Sequence, residues 1–89
     1  MVTSIVLINV DRYKVNEVAQ QLADITGITE AFSVSGNYDL VAIVRVATND
    51  ELADLVTNHL VKIGGIEKTD TMLAFKVYSR HDLESMFSI

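Results

Sequence analysis

The sequence predicts an α+β domain: a four-stranded antiparallel sheet with two helices on one face, in the order β-α-β-β-α-β. Three observations predict it. Along 89 residues, strand-like apolar runs give way to helical spacing and back again. A faint internal echo, Ile25-Thr26-Gly27-Ile28 and Ile63-Gly64-Gly65-Ile66, closes each helix and opens the strand after it. The first and third strands are the most continuously apolar. Those two are the central pair when two right-handed crossover units share one sheet, which is the ferredoxin-like, split βαβ arrangement.

Each element has its own signal. Val2 to Val10 sets Val2, Val6, Ile8 and Val10 on one side and Ile5 and Leu7 on the other, as in a strand covered on both faces. Asp11-Arg12-Tyr13-Lys14 interrupts the run. Val15, Val18, Ala19, Leu22 and Ile25 then recur at helical spacing, with Asn16, Glu17, Gln20, Gln21 and Asp24 outward and Gly27 as C-cap. Ile28 to Ser35 and Leu40 to Val46 form the second and third strands. Gly36-Asn37 between them reads as a tight turn, because both residues tolerate positive φ. Thr48-Asn49-Asp50-Glu51 reads as a capping box, the hydroxyl taking the Glu51 amide and the carboxylate returning to residue 48. The second helix carries Leu52, Leu55, Val56, Leu60 and Ile63 on one face and ends at Gly64-Gly65. The fourth strand runs from Ile66 to Tyr78. A tail from Arg80 to Ile89 forms a turn or two of helix around Leu83, Met86 and Phe87.

Composition narrows the function. The chain is 49% hydrophobic and 21% charged, with a mean hydropathy of +0.30. That is rich for a domain whose surface-to-volume ratio is unfavourable. With helices on one sheet face only, the other stays bare and apolar, so a homodimer or larger homo-oligomer is the physical expectation. Two such sheets face to face make a dimeric α+β sandwich or barrel. Zero cysteines remove disulfides, thiolate metal sites and thiol nucleophiles together. A net charge of −5 has the wrong sign for holding phosphate backbones, so no direct nucleic-acid contact is expected. No apolar run reaches the roughly 18 residues of a membrane span, and the start lacks a basic region and a cleavage site. The expected location is the cytoplasm, with no membrane contact.

Two motifs carry a family resemblance. Ser35-Gly36-Asn37-Tyr38-Asp39-Leu40-Val41 resembles the Gly-x-Tyr-Asp turn of the Lrp/AsnC family of transcriptional regulators. Ile63 to Ala74 (IGGIEKTDTMLA) is similar to that family's Gly-Val-x-x-Thr-x-Thr start of the last strand, with Ile66 in place of Val. The similarity runs from about Ile5 to Tyr78 and corresponds to the family's C-terminal effector-sensing domain, called RAM. It implies a single RAM-type domain over 1–89, an amino-acid effector, dimers, and rings of dimers such as an octamer or decamer. Family regulators carry a helix-turn-helix before this domain, and nothing here precedes Met1. The resemblance therefore implies a stand-alone sensor with no DNA-binding half, one that can co-assemble with full-length Lrp/AsnC regulators.

An amino acid needs an acceptor for its ammonium and amide or hydroxyl donors for its carboxylate. Asp39 offers the first. Amides around Gly36 and the hydroxyls of Thr69 and Thr71, which share one face of a strand, offer the second. By resemblance, the effector-binding set is Gly36, Tyr38, Asp39, Thr69 and Thr71. The plainer reading gives Gly36 to the turn, Asp39 to the turn backbone, Tyr38 to an interface and the threonines to strand formation. Asp70, on the opposite face, is expected to be solvated or paired with Lys68 or Lys76. Phe32 and Phe75 are expected in the core or at an interface. His59 suits the negative end of a helix dipole, and no third ligand joins it and His81, so no metal or cofactor is expected.

Two other readings share this topology. Small dimeric monooxygenases and isomerases that need no cofactor require an interior polar set, whereas this chain has no Trp and its histidines sit at a helix end and in the tail. An ACT domain uses a glycine-bearing loop after its first strand, where this chain has Asp11-Arg12-Tyr13-Lys14. A non-enzymatic sensor fits better than either.

Overall fold

The structure, a computed structural model, describes residues 1–78 and 80. The predicted helical turn around Leu83, Met86 and Phe87 lies outside them. The elements are β1 (Val2–Val10), α1 (Val15–Ala23), β2 (Ile28–Ser33), β3 (Leu40–Val46), α2 (Asn49–Asp54) and β4 (Ile66–Ala74). Strand order is β2-β3-β1-β4, with every pair antiparallel. The predicted α+β, ferredoxin-like arrangement is what forms, with β1 and β3 central.

Packing follows the two periodicities. On one sheet face, Val6, Ile8 and Val10 of β1 and Leu40, Ala42 and Val44 of β3 are buried with Val18 and Leu22 of α1. Leu55 and Leu60, from the continuation of α2, complete that core. On the other face Ile5, Leu7, Val41 and Ile43 are only half-buried and Phe32 and Met72 are exposed, so the single chain covers β1 on one side alone. Ser4 breaks the apolar pattern inside the core. It is fully buried, and its hydroxyl donates to the Met72 carbonyl oxygen at 2.7 Å. Ser4→Ala is expected to cost about 1 kcal/mol in chemical denaturation, the net worth of one such bond.

The internal echo is a structural one. Gly27 and Gly65 both hold positive φ, +103° and +106°. Each carbonyl accepts an amide from the end of the opposite half's strand: Arg45 N–H to Gly27 at 2.8 Å, and Asp11 N–H to Gly65 at 2.8 Å. Each Cα also faces the other half's helical segment, Gly27 against Leu55 and Gly65 against Val18. Gly27 is thus a close-approach residue; the cap of α1 is Asp24, and α1 stops before the expected Ile25.

Several boundaries differ from expectation for visible reasons. Before α1, Arg12–Lys14 forms a short 3-10 turn, its first amides satisfied by Asp11: Tyr13 N–H donates to Asp11 Oδ1 at 3.0 Å. The capping box forms, with the Glu51 amide on Thr48 Oγ1 at 3.1 Å, but the Glu51 carboxylate reaches past Thr48 to the Ala47 amide at 2.9 Å. α2 continues as a wider π-type turn over Leu55–His59 and a 3-10 turn over Leu60–Lys62. β2 ends at Ser33, not Ser35, and β4 ends at Ala74, not Tyr78. The β1–β4 register closes at Thr3↔Ala74 and β1 begins at Val2, so residues 75–78 have no neighbouring strand.

Candidate functional site

The β2–β3 connection is built differently from a two-residue turn. It spans residues 34–39 and is closed by Val34 N–H to the Asp39 carbonyl at 3.0 Å. Only Gly36 holds positive φ there; Asn37 does not. The reason lies in β1, which fastens the loop from the side. The Asn9 side-chain amide donates to the Asn37 carbonyl at 2.9 Å, and the Asp39 amide donates to the Ile8 carbonyl at 3.0 Å. β3 begins at Leu40, opposite Ile8, so the ladder offers the Val10 amide no main-chain acceptor. Asp39 Oδ2 supplies one at 2.8 Å. A carboxylate accepting a partly buried backbone amide is a strong hydrogen bond. Its other oxygen, Oδ1, makes no hydrogen bond among the described residues.

Tyr38 reaches across the end of β1 to the far strand. Its hydroxyl donates to Asp70 Oδ2 at 3.1 Å, so the partner of Asp70 is this phenol, not Lys68 or Lys76. The hydrogen bond to Asp70, then slight desolvation and the negative charge, hold the phenol above its ordinary 10.0. A proton held more tightly in the folded state contributes stability below the unfolded value and loses it as pH rises past that value. The stability difference between the wild-type chain and Tyr38→Phe is therefore expected to shrink as pH climbs above 10, read by thermal unfolding at stepped pH.

The five expected effector residues do not meet in one cavity of one chain. Gly36, Tyr38 and Asp39 sit on the loop at the β1 C-terminal end. Thr69 and Thr71 pair with Ile8 and Val6, which puts them on the helix side of β4, while Asp70 pairs with Leu7 on the open side. β1 lies between Asp39 and the threonines, a gap of two strand spacings, about 10 Å. Thr69 joins a groove of about 430 Å³ between β4 and the end of the α2 segment, with Leu60, Val61 and Lys68 among its walls.

A second groove, of about 610 Å³, lies between Gly27, Arg45 and the α2 segment and contains none of the five. Four of its polar side chains, Arg45, Glu51, Asp54 and His59, are already engaged. Glu51 accepts from Ala47, Arg45 donates to Thr29 at 3.0 Å, and Asp54 accepts from Asn58 at 2.6 Å and lies 3.3 Å from His59. Those contacts hold the Asp54 carboxyl below its ordinary range, the Asn58 hydrogen bond most of all and the His59 charge after it. The pair is more than half exposed, so it adds little to stability. His59 is thus partnered by Asp54 at the helix end, and His81 lies outside the described residues. Among the described residues no three His, Asp or Glu side chains converge on a metal position. No helix among them is long and apolar enough to cross a membrane.

Sequence reasoning missed Asn9 and Ser4. Asn9 carried a signal, a lone amide at the end of an apolar strand and on the Ile5–Leu7 face. Ser4 carried one too, a hydroxyl in a strand whose other side chains on that face, Val2, Val6, Ile8 and Val10, are all apolar.

Comparison with known proteins agrees with this geometry. The family model described as the Lrp/AsnC ligand binding domain matches residues 3–83. An uncharacterised HTH-type transcriptional regulator of Pyrococcus furiosus is 39% identical over 59 residues, which are 66% of this chain and 39% of that protein. The chain thus spans well under two thirds of the length of that curated relative. A solved structure from Thermus thermophilus is 40% identical, covers 90% of this chain and 100% of that one, and superposes with a TM-score of 0.84. A Neisseria meningitidis transcriptional regulator solved in complex with L-Met shares the fold at a TM-score of 0.79. It is 11% identical over 89% of this chain and 53% of that one. The curated relatives are named as transcriptional regulators, not enzymes. The chain belongs to the Lrp/AsnC ligand-binding domain family.

Proposed function

We propose that this domain is the effector-sensing module of Lrp/AsnC-type transcriptional regulation, that it self-associates, and that its effector is an amino acid. The observation that carries the reading is the 34–39 loop. Asp39 holds the end of β1 with one carboxylate oxygen, which leaves the other for an ammonium group, and the same loop's amides around Gly36 are the proposed donors for a carboxylate. Tyr38 lines the same corner. Thr69 and Thr71, about 10 Å away across β1, contribute from a neighbouring copy or at the far end of a longer ligand. A protein of the same fold, the Neisseria regulator, was solved with L-Met, which supports an amino acid as a ligand this fold accommodates. Self-association as a dimer or ring, and co-assembly with full-length regulators, belong to the same proposal; the half-covered sheet supports the first.

The test is a thermal-shift screen against the twenty amino acids with oligomeric mass measured alongside. A ligand that binds only the folded state raises Tm. At least one amino acid is expected to raise it in a dose-dependent way, and Asp39→Asn to lose that response. A flat panel overturns the amino-acid assignment.

A further inference from the structure

Two contacts bring the 34–39 loop to the open side of the sheet. Asn9, two residues beyond Leu7, stands on that side of β1, and its side-chain amide reaches the Asn37 carbonyl at 2.9 Å. Tyr38 reaches Asp70, which pairs with Leu7 on the same side, at 3.1 Å. Thr69 and Thr71 face the helices instead, so within one chain the sheet itself stands between their hydroxyls and the loop.

Lys68 is on the right side. It pairs with Asn9 in the β1–β4 register, two residues before Asp70, and its side chain shares the open side with both. It also borders the groove beside Thr69, as a residue of an edge strand can. Asp70, the carboxylate expected to pair with it, accepts from Tyr38 instead. Among the described residues no carboxylate pairs with the Lys68 ammonium. A solvated lysine is ordinary on an exposed strand; what sets this one apart is its place across Asn9 from Asp39.

We propose that Lys68 binds the α-carboxylate of the effector while Asp39 Oδ1 receives its ammonium, with Asn9 lying between the two. The inference rests on the amino-acid reading above and adds a residue of the same chain to that site.

Reach and charge both favour Lys68. β4 lies two strand spacings from Asp39, about 10 Å. Lysine's flexible four-carbon stem and the length of the zwitterion itself cover that gap, where a threonine hydroxyl falls short even from the right face. Asp39 and Asp70 also put two negative charges at this corner, in a chain of −5 overall. A ligand carboxylate is repelled there unless a cation meets it. The loop amides around Gly36 are neutral donors, and a charge-assisted bond is roughly twice as strong as a neutral one.

The experiment titrates thermal shifts of the full chain, Lys68→Met, Lys68→Arg and Lys76→Met with the twenty L-amino acids and with their α-amides. Lys68 is exposed, so Lys68→Met keeps the ligand-free Tm while losing the charge. Where an amino acid stabilises the wild-type chain, its α-amide is expected to bind at least about tenfold more weakly, since it offers Lys68 no negative charge. Lys68→Met is expected to bind the acid about tenfold more weakly and to treat acid and amide alike. Lys68→Arg keeps the preference for the acid. Lys76→Met removes the same charge from beyond β4 and leaves that preference unchanged. An undiminished preference in Lys68→Met, with the response lost in Asp39→Asn, overturns this inference and leaves the amino-acid reading standing. So does a wild-type chain that takes the amides as tightly as the acids. A wild-type chain that responds to none of these compounds overturns both.

Discussion

Gly27→Ala is expected to cost roughly 2–5 kcal/mol of folding stability. Two separate effects add there. At φ +103° an alanine sits in a region that L side chains rarely adopt, worth about 1–2 kcal/mol. Its Cβ would also lie 2.9 Å from Leu55 Cδ1 and 3.0 Å from Val46 Cγ1. Leu55 is 3% exposed within the core, so it has little room to retreat, and overpacking of this kind costs about 1–3 kcal/mol. Gly36→Ala separates the two effects. Its φ is similarly positive at +114°, but nothing lies within 4 Å of the added Cβ, so only the backbone cost of about 1–2 kcal/mol remains. Urea titration of both variants checks the pair. Equal losses would mean that the Leu55–His59 turn moves aside freely and that the Gly27–Leu55 approach is slack.

That approach is also why the two halves of the chain are legible in the residues alone. Ile-x-Gly-Ile recurs because each half needs a residue without Cβ where its strand restarts under the other half's helical segment. Helical spacing through Val18, Leu22, Leu55 and Leu60 marks the residues that meet the sheet, and the apolar continuity of β1 and β3 marks the centre. Local chemistry carries that information. Whatever depends on a distant partner is not written locally. The length of β4 is set by where β1 begins. The loop at Gly36-Asn37 looks like a two-residue turn when read locally, and becomes a six-residue connection because Asn9 and Val10, nearly thirty residues earlier, take hold of it. Asp70 is legible as a charge on the open face, but its partner Tyr38 is 32 residues away. The candidate site suffers most from this, since its side-chain contacts are of the long-range kind.

Asp39 therefore needs two substitutions. Asp39→Ala is expected to lose about 1–3 kcal/mol, because it leaves the partly buried Val10 amide without an acceptor. Any loss of ligand response in that variant would be confounded by a loosened loop. Asp39→Asn keeps a carbonyl oxygen for Val10 and removes only the charge, so the fold should lose about 1 kcal/mol or less. An ammonium group bound to Asp39, by contrast, loses a charge-assisted bond, and affinity for an amino acid is expected to fall about thirtyfold or more. Calorimetric titration with the amino acid found in the thermal screen, beside urea denaturation of both variants, separates the roles. Unchanged affinity in Asp39→Asn would make Asp39 a purely structural clasp and move the ammonium site elsewhere. A large affinity loss at nearly unchanged stability would show one carboxylate serving both, one oxygen closing the β1 ladder and the other receiving the ligand, so that effector binding and loop order report on each other.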